Sequence, residues 1–291
     1  MDWITGLQKA IDYIEDNLTN ELDYTEIAGR ACSSTFHFQR VFGILCGYSL
    51  GEYIRNRRLT LAGSELASSD VKILDTALKY GYDSPESFGR AFTRFHGITP
   101  SYAKTEGAKL KSFSRLSVKL ILDGGNIMNY RIEKKDAFDV IMKKKYFPTD
   151  IDLSNKLLPT FWDSCRKDGT ISVLGKYITK DNIFGNAVAG ICFEDSAKDD
   201  EFPYAIGVGF KDGDVAEGLD VEKIPAHTWA IFECIGVIPV AIQDLLHKIY
   251  SDFFPTSDYK PYGGLDIQVY PDGNMQSPQY KCEIWIAVKK K

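Results

Sequence analysis

The sequence predicts a multidomain protein: an all-α tandem helix-turn-helix domain over residues 1–107, a linker over 108–127, and an α+β domain over 128–291. Three observations predict it. Apolar residues recur at spacings of three and four through the first hundred residues, and at a spacing of two beyond 128. A block of the first part recurs 50 residues later. Between the parts, a basic, Ser-rich stretch over 108–119 runs into Asp123-Gly124-Gly125, which breaks the chain.

In order along the chain, Leu7, Ala10, Ile11, Ile14 and Leu18 make the apolar stripe of a first helix. Asp23 caps a short helix carrying Ile27 and Ala28. Ser34 caps the next, from Thr35 to Leu45, which Gly47 stops. A longer helix follows from Ser49 with Leu59, Ala62 and Leu66 on one face, and Asp70 caps another through Leu74, Ala77 and Leu78, ending at Gly81. Ser84-Pro85-Glu86 opens a further helix with a capping hydroxyl, a proline in the first turn and a carboxylate at the positive end of the dipole. A shift of 50 residues lays Ser34, Phe38, Arg40, Phe42 and Gly47 on Ser84, Phe88, Arg90, Phe92 and Gly97. Each copy is a short helix, a tight turn and a second helix of the kind that enters a major groove. Phe38, Phe42, Phe88 and Phe92, at i and i+4, are core. Beyond 128, strands are expected at 130–132, 138–142, 187–193 and 204–210, with helices near 153–167 and 239–254, in two similar halves.

With 291 residues, 44% of them apolar and 26% charged, the chain has enough length and apolar content to bury a core, which excludes a disordered polymer. No apolar run reaches the roughly 20 residues of a membrane-spanning helix, and no signal peptide is visible. Cys32, Cys46, Cys165, Cys192, Cys234 and Cys282 form no CxxC pair, so the expectation is a reducing cytoplasm with no disulfide framework and no structural zinc. Net charge is −5, but it is unevenly placed. Residues 1–119 hold 15 Lys and Arg against 14 Asp and Glu; the remainder hold 20 against 26. Arg30, Arg40, Arg55, Arg57 and Arg58 face Glu52 alone over 29–60, and local patches decide whether phosphates are contacted. As a run, Arg55, Arg57 and Arg58 read more readily as a solvated helix face.

Ser34-Thr35-Phe36-His37-Phe38-Gln39-Arg40-Val41-Phe42, Gly47-Tyr48-Ser49-Leu50-Gly51-Glu52-Tyr53-Ile54, Arg57-Arg58-Leu59 and Gly81-Tyr82…Phe88…Arg90-Ala91-Phe92…Gly97-Ile98-Thr99-Pro100 resemble the DNA-binding domain of the AraC/XylS family over about 5–105. The later part resembles GyrI-like effector-binding domains with two βαββ-type halves, through Ile224-Pro225-Ala226, Phe232-Glu233-Cys234-Ile235-Gly236, Phe254-Pro255-Thr256-Ser257 and Glu283-Ile284-Trp285-Ile286-Ala287-Val288. The resemblance implies a cytoplasmic transcriptional activator with double-stranded DNA, a small-molecule effector and RNA polymerase as partners, no membrane, and no cofactor. It places Phe36, Gln39 and Arg40 at base-contacting positions of the first reading helix. Chemically, Gln pairs bidentately with adenine, Arg with guanine, and an apolar edge meets a thymine methyl. In the second helix Arg90 matches; Glu86 replaces a neutral polar residue and either accepts from a cytosine amine or repels phosphate. Thr35, Ser87 and Arg94 are candidate phosphate contacts.

In the α+β part, Trp229, Ile231 and Glu233 share one strand face, and Glu283 and Trp285 share another. A Glu among apolar strand residues is costly to bury unless a positive group meets it. The resemblance supplies one: GyrI-like pockets hold lipophilic cations with aromatics and an acidic residue. Glu283 is the first candidate for that carboxylate and Glu233 the second, with Trp285, Trp229, Tyr204 and Trp162 as walls. Gln268 stands where many relatives carry Glu, which on this reading shifts the ligand toward neutral or weakly cationic. Two other classes stay open: a small-molecule hydrolase with Glu283 or Glu233 as base, and a ligand-independent regulator that recruits a protein. His37, His96, His227 and His247 show no ligand-like spacing, and no GxSxG or phosphate loop is present, so neither a metal site nor a catalytic residue is assigned. The acidic stretch from Glu194 to Glu201 is expected to be a solvated loop.

Overall fold

Equivalent caps open both copies of the repeat. In the computed structural model, which describes residues 3–118, 127–193 and 201–291, the Ser34 hydroxyl accepts from the His37 N–H at 3.3 Å and that of Ser84 from the Ser87 N–H at 3.2 Å. The helices they start, α3 (Thr35–Cys46) and α6 (Pro85–His96), stop at Gly47 and Gly97, whose φ of +76° and +83° suit glycine. The shorter partners are α2 (Tyr24–Arg30) and α5 (Ile73–Lys79); α1 (Trp3–Asp16) precedes them and α4 (Leu50–Ser68) joins the copies. Contacts divide the chain into Met1–Phe38 with Tyr48–Ile121, and Gln39–Gly47 with Leu122–Lys291, so the division passes through α3.

In the helical unit, Leu59, Ala62 and Leu66 of α4 meet Ala77, Tyr80, Phe88 and Phe92 in one core. His96, at the end of α6, is buried in it. Its Nε2 lies 2.9 Å from the Leu59 carbonyl, and its Nδ1 accepts from the Lys111 N–H at 3.2 Å. That pairing requires the neutral ring with its proton on Nε2, and burial holds its pKa below the ordinary value. A Cβ at Gly63 would lie 2.7 Å from this ring. Gly63→Ala is therefore expected to lower the thermal midpoint of the unit, although alanine is the better helix former by about 1 kcal/mol. A raised midpoint in calorimetry would show that the imidazole yields without cost.

Several expectations change here. Asp70 does not cap the fifth helix: Lys72 holds the N-cap position without a side-chain bond, and exposed Asp70 pairs with Lys104 at 3.0 Å. Arg57 and Arg58 are not a solvated face. Arg57 holds Glu15 through Nε at 2.8 Å and Nη2 at 2.7 Å, and Arg58 donates from Nε to the Leu18 carbonyl at 2.8 Å. Part of the expected linker is bound to the helices, since the N–H groups of Phe113, Leu116 and Val118 donate to Thr60, Tyr53 and Gln8. Its remainder over 119–126 and the acidic stretch over 194–200 lie outside the described residues.

The second unit is an eight-stranded antiparallel sheet. Its strands are β1 (Tyr130–Lys135), β2 (Phe138–Pro148), β3 (Ala187–Cys192), β4 (Glu201–Phe210), β5 (Asp220–Ile224), β6 (His227–Ile235), β7 (Tyr259–Pro271) and β8 (Lys281–Lys290). α8 (Ile151–Lys167) follows β2, then the short α9 (Thr170–Gly175); α10 (Val240–Lys248) follows β6 and runs into a π-helical turn at Ile249–Phe253. Each half thus reads strand, strand, helix, strand, strand. The sheet order β1-β6-β8-β7-β3-β4-β2-β5 joins the halves at β3 and β7 and crosses their first strands, β1 lying on β6 and β5 on β2. One sheet face carries a dense core that includes Ala189, Ile191, Trp229, Ile231, Ile267, Val269 and Trp285. The other carries Cys192, Tyr204, Phe232, Asp266 and Tyr270, with aromatics of α8 and of the π turn against it: Trp162 on Tyr270 at 5.4 Å and Phe253 on Phe232 at 4.9 Å.

Candidate DNA-reading face and effector pocket

α6 turns Phe88, Phe92 and His96 inward, and its 3.6-residue period leaves Glu86, Arg90, Thr93 and Arg94 exposed together. With Gly89, Thr99 and Pro100 they line a shallow open groove. Arg90 and Arg94 are both exposed and form no ion pair among the described residues. Ser87 does not join them in the same way: its hydroxyl donates to the Ser84 carbonyl at 2.9 Å inside the cap.

The first copy differs. Phe36 and Gln39 are each 7% exposed, and Thr35 is buried with its hydroxyl 3.4 Å from that of Thr25. Arg40, which falls within the second unit, is half-buried, with 14% of its side chain exposed. Its Nη1 lies 2.9 Å from Asp266 Oδ2, its Nη2 donates to Oδ1 at 3.0 Å, and Nη1 donates to Cys192 Sγ at 2.8 Å. Burial opposes the Arg40 charge, but Asp266 outweighs it and holds the guanidinium protonated. Burial lifts the Asp266 carboxyl above the ordinary value, against the pull of Arg40. Thus the first reading helix has Phe36 and Gln39 buried and Arg40 held in an ion pair, whereas Glu86, Arg90 and Arg94 of the second stand exposed.

The six candidate ligand residues do not form one site. Strand register puts Trp162 and Tyr204 with Asp266, and Glu233, Glu283, Trp229 and Trp285 across the sheet. Glu283 accepts from both Arg131 Nη groups at 2.7 and 3.2 Å and from Trp285 Nε1 at 2.7 Å. Glu233 accepts from Lys281 and Asn129, each at 3.2 Å. Trp229 is fully buried in the core, its indole N–H without a hydrogen-bond partner among the described residues. Both expected pocket carboxylates are therefore occupied in half-exposed ion pairs on the wrong face for Trp162 and Tyr204.

The opposite sheet face, with Trp162 and Tyr204, carries a different carboxylate. Asp266, Gln268 and Tyr270 alternate along β7 beside Cys192 and Gly190 of β3. Trp162 Nε1 donates to the Tyr204 hydroxyl at 2.9 Å, and a Cβ at Gly190 would come within 2.2 Å of that oxygen, so glycine makes the room for the ring. The Tyr270 hydroxyl donates to Gln268 Oε1 at 2.5 Å. Tyr250, in the π turn, completes the surroundings of Arg40. Sequence reading missed Asp266. Its signal was the alternation Leu265, Ile267, Val269 against Asp266, Gln268, Tyr270, a polar face on a strand placed mid-sheet. Among the described residues, no group of three or more His, Cys, Asp or Glu is placed to hold a metal ion, and no helix is long and apolar enough to cross a membrane.

A family model described as an integron-associated effector binding protein matches residues 131–288, and a helix-turn-helix domain model matches residues 27–105. The HTH-type transcriptional activator AarP of Providencia stuartii is 42% identical over 95 residues, covering 33% of this chain and 70% of that protein. The multiple antibiotic resistance protein MarA of Escherichia coli (strain K12) is 35% identical over 94 residues, covering 32% of this chain and 74% of that protein. Among solved structures, SAV2435 bound to tetraphenylphosphonium aligns with a TM-score of 0.49 and 22% identity, over 56% of this chain and 94% of that one.

Proposed function

Because the chain belongs to the integron-associated effector binding family over 131–288 and carries an AraC-type helix-turn-helix domain over 27–105, we propose that it is a transcriptional activator that reads duplex DNA with α6 and answers an amphipathic organic cation held at Asp266. Its relatives are DNA-binding transcription regulators, and an effector-binding domain beside such a reader makes it a regulator that senses a small molecule. The observation that carries the DNA reading is the division of α6 between a buried aromatic face and an exposed one bearing Glu86, Arg90 and Arg94. On DNA, Arg90 takes a guanine edge, Glu86 a cytosine amine, and Arg94 a phosphate. RNA polymerase is the partner that activation requires.

Fluorescence anisotropy against a duplex from the chain's own upstream region, with a random duplex and two salt concentrations beside it, tests the reading. Arg90→Ala is expected to weaken binding to the selected duplex by about 1–3 kcal/mol and binding to random DNA much less. Equal losses on both would move Arg90 to the phosphates. Binding without any selectivity, with and without a cation present, would refute a sequence-reading role.

A further inference from the structure

Asp266 is a carboxylate that its pocket cannot leave bare. Withdrawing Arg40 alone would strand a buried charge, a strongly unfavourable step. Exchanging Arg40 for another cation leaves the charges balanced. Arg40 also meets the site as a ligand would, with two nitrogens at 2.9 and 3.0 Å from the two carboxylate oxygens and a third contact to Cys192 Sγ. Tyr204 and Tyr250 are its further electrostatic neighbours, and Trp162 and Tyr270 stand behind Tyr204 and Gln268. The pocket is therefore shaped to a planar, forked cation among aromatic rings. Its occupant is the residue that the 50-residue repeat aligns with Arg90, and Arg90 stands exposed on α6.

We propose that Arg40 is a built-in occupant of the effector site: the Asp266 pocket takes an aromatic amidinium or guanidinium, which displaces Arg40 and releases it to read DNA. This rests on the reading above, in which the chain reads DNA and the pocket takes a cation. Occupancy of Asp266 by Arg40 and by the effector is mutually exclusive. The effector and the DNA site then strengthen each other, and by linkage the two enhancement factors are equal.

Benzamidinium is the probe, titrated by calorimetry into the full chain, into Arg40→Ala and into Asp266→Asn, with circular dichroism as the check on folding. Arg40→Ala is expected to bind it about tenfold more tightly than the wild type, and Asp266→Asn about tenfold less. In the wild type, benzamidinium raises affinity for the selected duplex by about fivefold, and the duplex raises affinity for benzamidinium by the same factor. That linkage needs no substitution, so it decides the matter even where a variant fails to fold. Binding that Asp266→Asn removes, with no gain in Arg40→Ala and no effect on DNA, overturns Arg40 as the occupant and leaves the cation site in place. Absence of benzamidinium binding in all three chains overturns the cation site, and this proposal with it.

Discussion

Phe92→Ala is expected to destabilise the helical unit by about 3–5 kcal/mol, the range for deleting a buried phenyl ring that the surroundings cannot replace. Phe92 is fully buried, with the Phe88 ring 5.4 Å away and the His96 ring 4.2 Å away. Its neighbours are held from several sides. His96 is fixed by two backbone partners, and Phe88 packs on Tyr82 at 5.3 Å. Such a site collapses poorly, so the cavity persists. Urea denaturation followed by far-ultraviolet circular dichroism measures the loss, and a change below 1 kcal/mol would show that the neighbours close the gap. Because α6 is seated by this ring, selective DNA binding is expected to fall with stability even though Phe92 is fully buried.

Arg57→Ala is the second large effect, about 3–5 kcal/mol, the usual loss when one member of a buried ion pair is removed. Arg57 and Glu15 side chains are 11% and 7% exposed, and the Tyr53 hydroxyl also donates to Glu15, at 2.6 Å. Arg57 donates in addition to the Phe113 carbonyl at 2.6 Å, so its loss also removes one of the hydrogen bonds that hold the stretch after residue 110. The pH dependence carries the signature. Burial pushes the Glu15 carboxyl up, but the hydrogen bonds of Arg57 and Tyr53 and the Arg57 charge outweigh it, and its pKa lies below the ordinary value. A carboxyl lowered on folding contributes stability that is fully present above its unfolded pKa of about 4.3 and is lost as pH falls through the folded value. In Arg57→Ala the buried Glu15 takes up its proton more readily, so the gap between variant and wild type is expected to narrow in acid. A gap constant from pH 7 to pH 3 would mean that packing of the arginine stem, and not charge pairing, accounts for the loss.

The helical repeat was legible because its signals are local. Ser34, Gly47, Ser84, Pro85 and Gly97 act on the residues beside them, and Phe38, Phe42, Phe88 and Phe92 declare one helix face. What Arg57 binds was not legible, since Glu15 lies 42 positions away and a run of arginines looks alike in solvent and in an ion pair. In the sheet, alternation sorted the residues of each strand into faces correctly: Glu283 with Trp285, Cys282 with Ile284. It did not say which face of one strand adjoins which face of the next. That depends on pairing between β3 and β7, some 80 residues apart, and it is why Asp266 beside Cys192 was not visible as a candidate alongside Glu283 and Glu233. The ion pair of Arg40 was hidden for the same reason, its partner Asp266 being 226 positions away.

The crossed first strands of the sheet bear on how an effector can act. Cys192 and Asp266 are register partners on the seam between the halves, so a ligand at Asp266 sits at the joint itself. Prying that joint open would also require unzipping β1 from β6 and β5 from β2, because each half is clasped by a strand of the other. The sheet is thus a locked frame with no hinge across its middle. An arriving ligand has as its moving parts what lies on that face: the Arg40 side chain, Trp162 on α8, and Tyr250 on the π turn. Such a receiver responds by exchanging occupants, with its frame standing still.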